Sequence, residues 1–187
     1  MLNSPWRICN DRVRNMANRK NKTERFLVVV DESPGSKRVL DYASRVIGGR
    51  RNFVITLLHL LPPLPPELLE SGGAENPEKE QKLEAELRGD QQEWIRSAKK
   101  SAKTSLVSAV QQLHKAGVPR EDIHLAFSDP PTDRDAATAV LEQARGKRCH
   151  TIVISHTSHS WFRELAGGDL TEHLLRRGKG FAVWVVQ

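Results

Sequence analysis

The chain has 187 residues, 38% of them hydrophobic and 28% charged, with a net charge of +6. That length suits one domain with residues to spare for a tail or a lid, and is short for two. Aromatic residues are only 5%, which argues against a stacking platform for single-stranded nucleic acid, and no apolar run approaches the ~20 residues that span a bilayer.

Residues 1–25 hold seven basic residues against two acidic ones, so +5 of the +6 sits there and the rest is close to neutral. Residues 1–24 therefore read as a basic, solvated extension without an apolar secretory signal. Such a tail can touch nucleic acid or acidic lipid, but no basic folded face is required, so nucleic acid is not an expected partner of the domain. Met16 stands just ahead of the first apolar run, so residues 1–15 read either as an extension or as sequence upstream of the native start.

One domain is expected over 25–187. Arg25 to Asp31 (RFLVVVD) is a short continuous apolar run, as in a strand buried on both faces. Ser33, Pro34 and Gly35 form a turn. Ser36 is placed to cap a helix whose apolar positions are Val39, Leu40, Ala43, Val46 and Ile47, with Gly48 and Gly49 ending it. Phe53 to Leu61 (FVITLLHLL) is a second strand.

Pro62, Pro63, Pro65 and Pro66 then interrupt regular structure, and 62–77 reads as a long exposed loop. A long helix is expected over 78–116, with Ile95, Ala98, Ala102, Leu106, Ala109 and Leu113 as its apolar stripe. Its start, Glu78 to Asp90, is nearly all polar and would project or fray. Strands follow at Ile123–Phe127, His150–Ser155 and Phe181–Val186, with helices at Asp133–Arg145 and Gly168–Arg177 between them. A helix between every pair of strands forces parallel pairing through right-handed crossovers, and hence a doubly wound α/β sheet.

The residues at the strand ends carry a resemblance. Val29-Val30-Asp31-Glu32-Ser33 followed by Ser36, then Leu58-His59-Leu60, Ile152-Val153-Ile154 and the terminal Ala182-Val183-Trp184-Val185-Val186 occur in order. In this the chain resembles the universal stress protein family over Arg25 to Gln187. The resemblance implies a five-stranded parallel sheet of order 3-2-1-4-5, like that of the adenine nucleotide alpha hydrolases. Ligands of such sheets bind outside the carboxyl ends of the strands where the order reverses. Asp31 and Ser155, at the ends of strands 1 and 4, would face that crevice.

ATP-binding members of the family carry Gly-x2-Gly-x9-Gly-[Ser/Thr] after strand 4. The corresponding positions here read Ser155, Ser158, Gly168 and Asp169. Asp169 is the graver departure: a carboxylate about 4 Å from a phosphate charge repels it by ~4 kcal/mol at an effective dielectric near 20, roughly a thousandfold in affinity. As an acid in the first turn of a helix it would occupy the anion site itself. A Mg²⁺ ion bridging Asp169 to the phosphates would reverse that sign, so ATP with Mg²⁺ is the cofactor of the alternative reading. By the resemblance, Asp31 would then meet the ribose or base, the Leu60 backbone the adenine, and Thr157, Gly168 and Thr171 the phosphates.

Other chemistries are less well supported. His156, His159, His173 and Glu172 lie near one another in sequence but lack the spacing of a zinc set. No Gly-x-Ser-x-Gly elbow is present. Cys149 precedes a buried strand and reads as a structural thiol, and two cysteines make no disulfide framework, so a cytoplasmic protein is expected. The terminal strand, apolar and uncharged, would lie at a sheet edge, where the family commonly pairs two copies; Trp184 would anchor that homodimer or else fill the core beneath a helix. The expectation is a non-enzymatic binding protein with a regulatory or protective role in stress, its nucleotide site weak or lost. The alternatives are an ATP-binding member whose nucleotide controls its dimer or partner state, and a small metal-dependent or nucleotide hydrolase.

Overall fold

The computed structural model describes residues 23–31, 33–69, 76–130, 136–156 and 170–187. Five parallel strands, β1 (Glu24–Val30), β2 (Phe53–His59), β3 (Ile123–Phe127), β4 (Thr151–Ser155) and β5 (Ala182–Val186), form one sheet of order β3-β2-β1-β4-β5. Helices α1 (Pro34–Ile47), α2 (Pro77–Lys115), α3 (Ala136–Gly146) and α4 (Leu170–Arg177) connect them. The central strands are apolar without alternation because both faces are covered. Phe26, Val28, Val30, Ile55 and Leu57 pack under α1 and α2. On the other face Leu27, Val29, Leu58, Ile152 and Ile154 pack under α3 and α4.

Two helix starts differ from the sequence expectation for one reason. α1 begins at Pro34, with Ser33 in the cap position, so Ser36 lies inside the first turn and is not the cap. α2 begins at Pro77, after Asn76, whose side chain accepts the Glu78 N–H at 3.0 Å. Proline suits the first helical position because its fixed φ is helical and its missing N–H would have had no partner there.

α2 runs for 39 residues, about 58 Å at 1.5 Å per residue. Its buried residues are Ala102, Leu106, Ala109 and Leu113. The expected polar start is helical and exposed: from Pro77 to Asp90 only Leu87 is even half-buried. The cap, Glu78 and Glu80 in the first turn, and an Arg88–Glu84 ion pair at 3.3 Å sustain it.

The proline-rich stretch is less exposed than its composition suggests. Leu64 is buried, Pro66–Leu68 make one 3₁₀ turn, and Gln91 Nε2 of α2 donates to the Leu68 carbonyl at 2.7 Å. β5 ends the sheet at an edge. Trp184 is half-buried there, its ring centroid 5.1 Å from that of Phe26 and 5.9 Å from that of Tyr42. Trp184 thus packs beneath α1, the second of the two roles weighed for it. Among the described residues no helix is long and apolar enough to cross a membrane.

Candidate functional site

The carboxyl ends of β1, β2 and β4 lie on one rim of the sheet. The β1–β4 register, Phe26↔Thr151 to Val28↔Val153, continued two places sets Val30 beside Ser155. Asp31 and Ser155 therefore both stand where the strand order reverses.

Asp31 builds its own turn. Its Oδ1 accepts the Ser33 N–H at 2.9 Å, the Ser36 hydroxyl at 2.6 Å and a very short bond from the Ser33 hydroxyl. The Asp31 N–H donates in return to Ser36 Oγ at 2.7 Å. An Asp side chain that bonds to the backbone two residues on is a turn-former, and here it sets the angle at which α1 leaves the sheet.

The end of β2 is tied on both sides. Leu60 N–H donates to the Val30 carbonyl at 3.4 Å, Ser128 N–H to the His59 carbonyl at 3.0 Å, and Leu61 N–H to Ser128 Oγ at 2.9 Å. The Leu60 side chain is buried in the core under α3 and α4.

A cavity of about 420 Å³ opens beside this rim, between α1 and α2. Its apolar floor is Val30, Leu40, Leu106 and Ala109. Hydroxyls of Ser33, Ser36, Ser105 and Ser108, the Lys37 ammonium and the buried His59 ring complete it, with Asp31 at one end. Gln112, also on the wall, donates to Asp41 Oδ1 at 2.6 Å and so ties α2 to α1. The size and the mix of apolar floor with a few polar groups are those of a small-molecule pocket.

The structure distributes the candidate residues unevenly. Asp31 lines the cavity, whereas Leu60, Ser155 and Thr171 are not among its lining residues. Thr171 is buried in the first turn of α4. Thr157, Ser158, Gly168 and Asp169 lie outside the described residues, as do His159 and the extension with Cys9. Sequence reasoning missed the α2 wall. Its signal was present: Ser105, Ser108 and Gln112 recur at i, i+3 and i+7 just beside the apolar row Ala102, Leu106, Ala109 and Leu113.

Among the described residues no three His, Cys, Asp or Glu side chains gather as a metal set. Cys149 is buried just ahead of β4, and burial pushes its thiol above the ordinary range; the Thr56 hydrogen bond and the charges of Arg25 and Lys147 oppose this without cancelling it. A thiol held protonated is a poor nucleophile, consistent with packing rather than chemistry.

Comparison with known proteins bears on the whole domain. The family described as the universal stress protein family matches residues 22–187. No curated protein matches the chain significantly. A universal stress family protein from Burkholderia pseudomallei has a similar structure, with a TM-score of 0.56 and 15% identity over 88% of this chain and 96% of that one. A universal stress protein solved in complex with cAMP gives 0.52 and 17% over 88% and 96%. One from Archaeoglobus fulgidus in complex with dAMP gives 0.51 and 16% over 89% and 99%. At such identities the structural likeness concerns the fold.

Proposed function

Because the chain belongs to the universal stress protein family, we propose that it is a cytoplasmic binding protein with a regulatory or protective role under stress, acting without turnover and with a weakened hold on nucleotides. The observation that carries this reading is the Asp31 turn. The residue that would face a ribose already receives three donors on one carboxylate oxygen, so the turn holds that oxygen and leaves a ribose hydroxyl only Oδ2, with the carboxylate fixed in the orientation the turn sets. The Asp169 carboxylate, in sequence where a phosphate-binding hydroxyl would stand, adds repulsion in the same direction. The open outer edge of β5 is where a second copy would join to form the homodimer.

A second reading keeps nucleotide binding, with the ligand controlling dimer or partner state. It is favoured by the 420 Å³ cavity next to Asp31 and by the cAMP and dAMP held by proteins of this fold. In that case Mg²⁺ supplied with ATP would offset the charge of Asp169.

Denaturing the purified protein and chromatographing the supernatant shows whether it carries nucleotide. Isothermal titration with ATP, with and without Mg²⁺, on wild type and Asp169→Ser then separates the readings. Wild type is expected to be silent and Asp169→Ser to bind. Micromolar binding by wild type would replace the first reading with the second.

A further inference from the structure

Each of α1 to α4 connects the carboxyl end of one strand with the amino end of the next, so the loops that feed the strands share the rim opposite the crevice. Those loops are basic. Arg50 and Arg51 precede β2, Arg120 precedes β3, Lys147 and Arg148 precede β4, and Lys179 precedes β5. All six side chains are exposed, and none is in an ion pair with another described residue. The acids at this rim are Glu24, which faces His150 at 3.7 Å, and the pair Glu121 and Asp122. Into β1 at the same rim runs the stretch 1–22, with six basic residues and one acidic.

Helix stability accounts for only part of this charge. The macrodipole rewards a basic residue in the last turn, which explains Arg45, Lys115, Arg145 and Arg176. The six lie past the helix ends, where that effect has faded. Arg148 also holds φ +53°, a conformation that glycine or asparagine adopts more easily, so the local backbone gives no reason for an arginine there. The near-neutral sum of the domain conceals this rim. On the other side of the sheet the start of α2 carries six acidic residues against three basic between Glu78 and Glu93. A basic folded face, which the charge total did not require, is thus present.

We propose that this rim holds the phosphate backbone of double-helical nucleic acid without reading its sequence. The five strand entries lie in one row, about 19 Å long at ~4.8 Å between neighbouring strands. A duplex presents one negative charge per ~1.7 Å of its axis, so a row of basic side chains finds phosphates along its whole length. Four of the six are arginines, whose guanidinium forks onto two phosphate oxygens. Among the described residues no Phe, Tyr or Trp is exposed to stack on an unpaired base. Leu175 is the one large apolar side chain exposed at a helix end on this rim, so the face offers a lipid surface charge but little to bury. The basic stretch 1–22 joins at the middle strand, within reach of the same backbone. The rim lies away from the crevice, so the inference holds under either reading of the nucleotide site.

Fluorescence anisotropy of labelled DNA and RNA duplexes, titrated with the full chain between about 0.05 M and about 0.2 M salt, tests this. Wild type is expected to bind duplexes of unrelated sequence alike, the tighter of DNA and RNA naming the source of the backbone. Arg50→Ala/Arg51→Ala/Lys147→Ala/Lys179→Ala should flatten the slope of log affinity against log salt by about 3–4, at ~0.9 per phosphate contact, and Lys147→Ala/Lys179→Ala by about 2. Lys79→Ala/Lys82→Ala/Arg88→Ala/Lys100→Ala, which takes the same charge from α2, should leave the slope as it is, and so should Arg50→Lys/Arg51→Lys. Unchanged slopes in both rim variants, folded by circular dichroism, overturn the inference, because the stretch 1–22 would then bind alone. So does a wild type that ignores both duplexes, or one that binds vesicles of phosphatidylcholine and phosphatidylserine in their place, which would make the rim a membrane-facing surface.

Discussion

Asp31 marks the crevice through its position and shapes it through its bonds. Three donors converge on Oδ1, and Ser36 both donates to the carboxylate and accepts from the Asp31 N–H. Hydrogen bonds to a charged group each contribute about 1.5–3 kcal/mol net. Asp31 is only half-buried, so water recovers part of what a substitution removes. Asp31→Ala is therefore expected to lower unfolding free energy by about 2 kcal/mol, and Asp31→Asn, which keeps an acceptor without the charge, by about half as much. Urea denaturation of the three proteins gives the values. A side chain kept only for a ligand would leave the unfolding midpoint where it is in the unliganded protein. The same interactions explain why the sequence was legible here in place but not in detail. The end of an apolar strand followed by Ser-Pro-Gly locates Asp31 without showing that both nearby serines point back at it.

At the scale of elements, the two long connections meet where α1 and α2 end. Gly117 has φ +94°, and a Cβ there would lie 2.9 Å from the Gly49 nitrogen. A Cβ on Gly48 would lie 2.3 Å from the Ser44 carbonyl oxygen and 2.4 Å from that of Ala116. The helix ends thus pack backbone on backbone, which fixes how α2 lies beside α1 and hence the width of the cavity between them. Gly117→Ala is expected to lower stability by about 2–3 kcal/mol, from the positive φ and the displaced Gly49 backbone together. Thermal denaturation measures it, and an unchanged midpoint would mean that the two ends separate without cost. The strands and their order were readable because full burial on both faces writes uninterrupted apolar runs. The helix starts were less so, since Pro34 and Pro77 had the look of breakers and act as first residues. The α2 wall could not be read as part of a site: Ser105, Ser108 and Gln112 lie far from Asp31 in sequence, and only the rotation of α2 turns them toward it.

At the scale of the whole molecule, the sheet has two unlike ends. Beyond β2 and β3 lies the long helix with its charged outer face; at the other end β5 exposes an edge of half-buried Val183, Trp184, Val185 and Val186. The ladder to β4 uses alternate residues of β5. Ala182 N–H donates to the His150 carbonyl at 3.0 Å, and His156 N–H donates to the Val186 carbonyl at 2.9 Å. By the two-residue period of a strand, the N–H groups of Val183 and Val185 then point outward, at the disposal of another chain. Proline at Val185 would remove one of these outward donors and leave the ladder to β4 whole, the position at which an edge strand tolerates it. If two copies join along this edge, main-chain bonds and apolar contact hold them, and salt does not. At about 1 M salt, where exposed charge pairs are screened, wild type should sediment as a dimer and Val185→Pro as a monomer with an unchanged circular dichroism spectrum. A monomeric wild type would leave the edge free for a different strand, and a dimeric Val185→Pro would place the contact elsewhere.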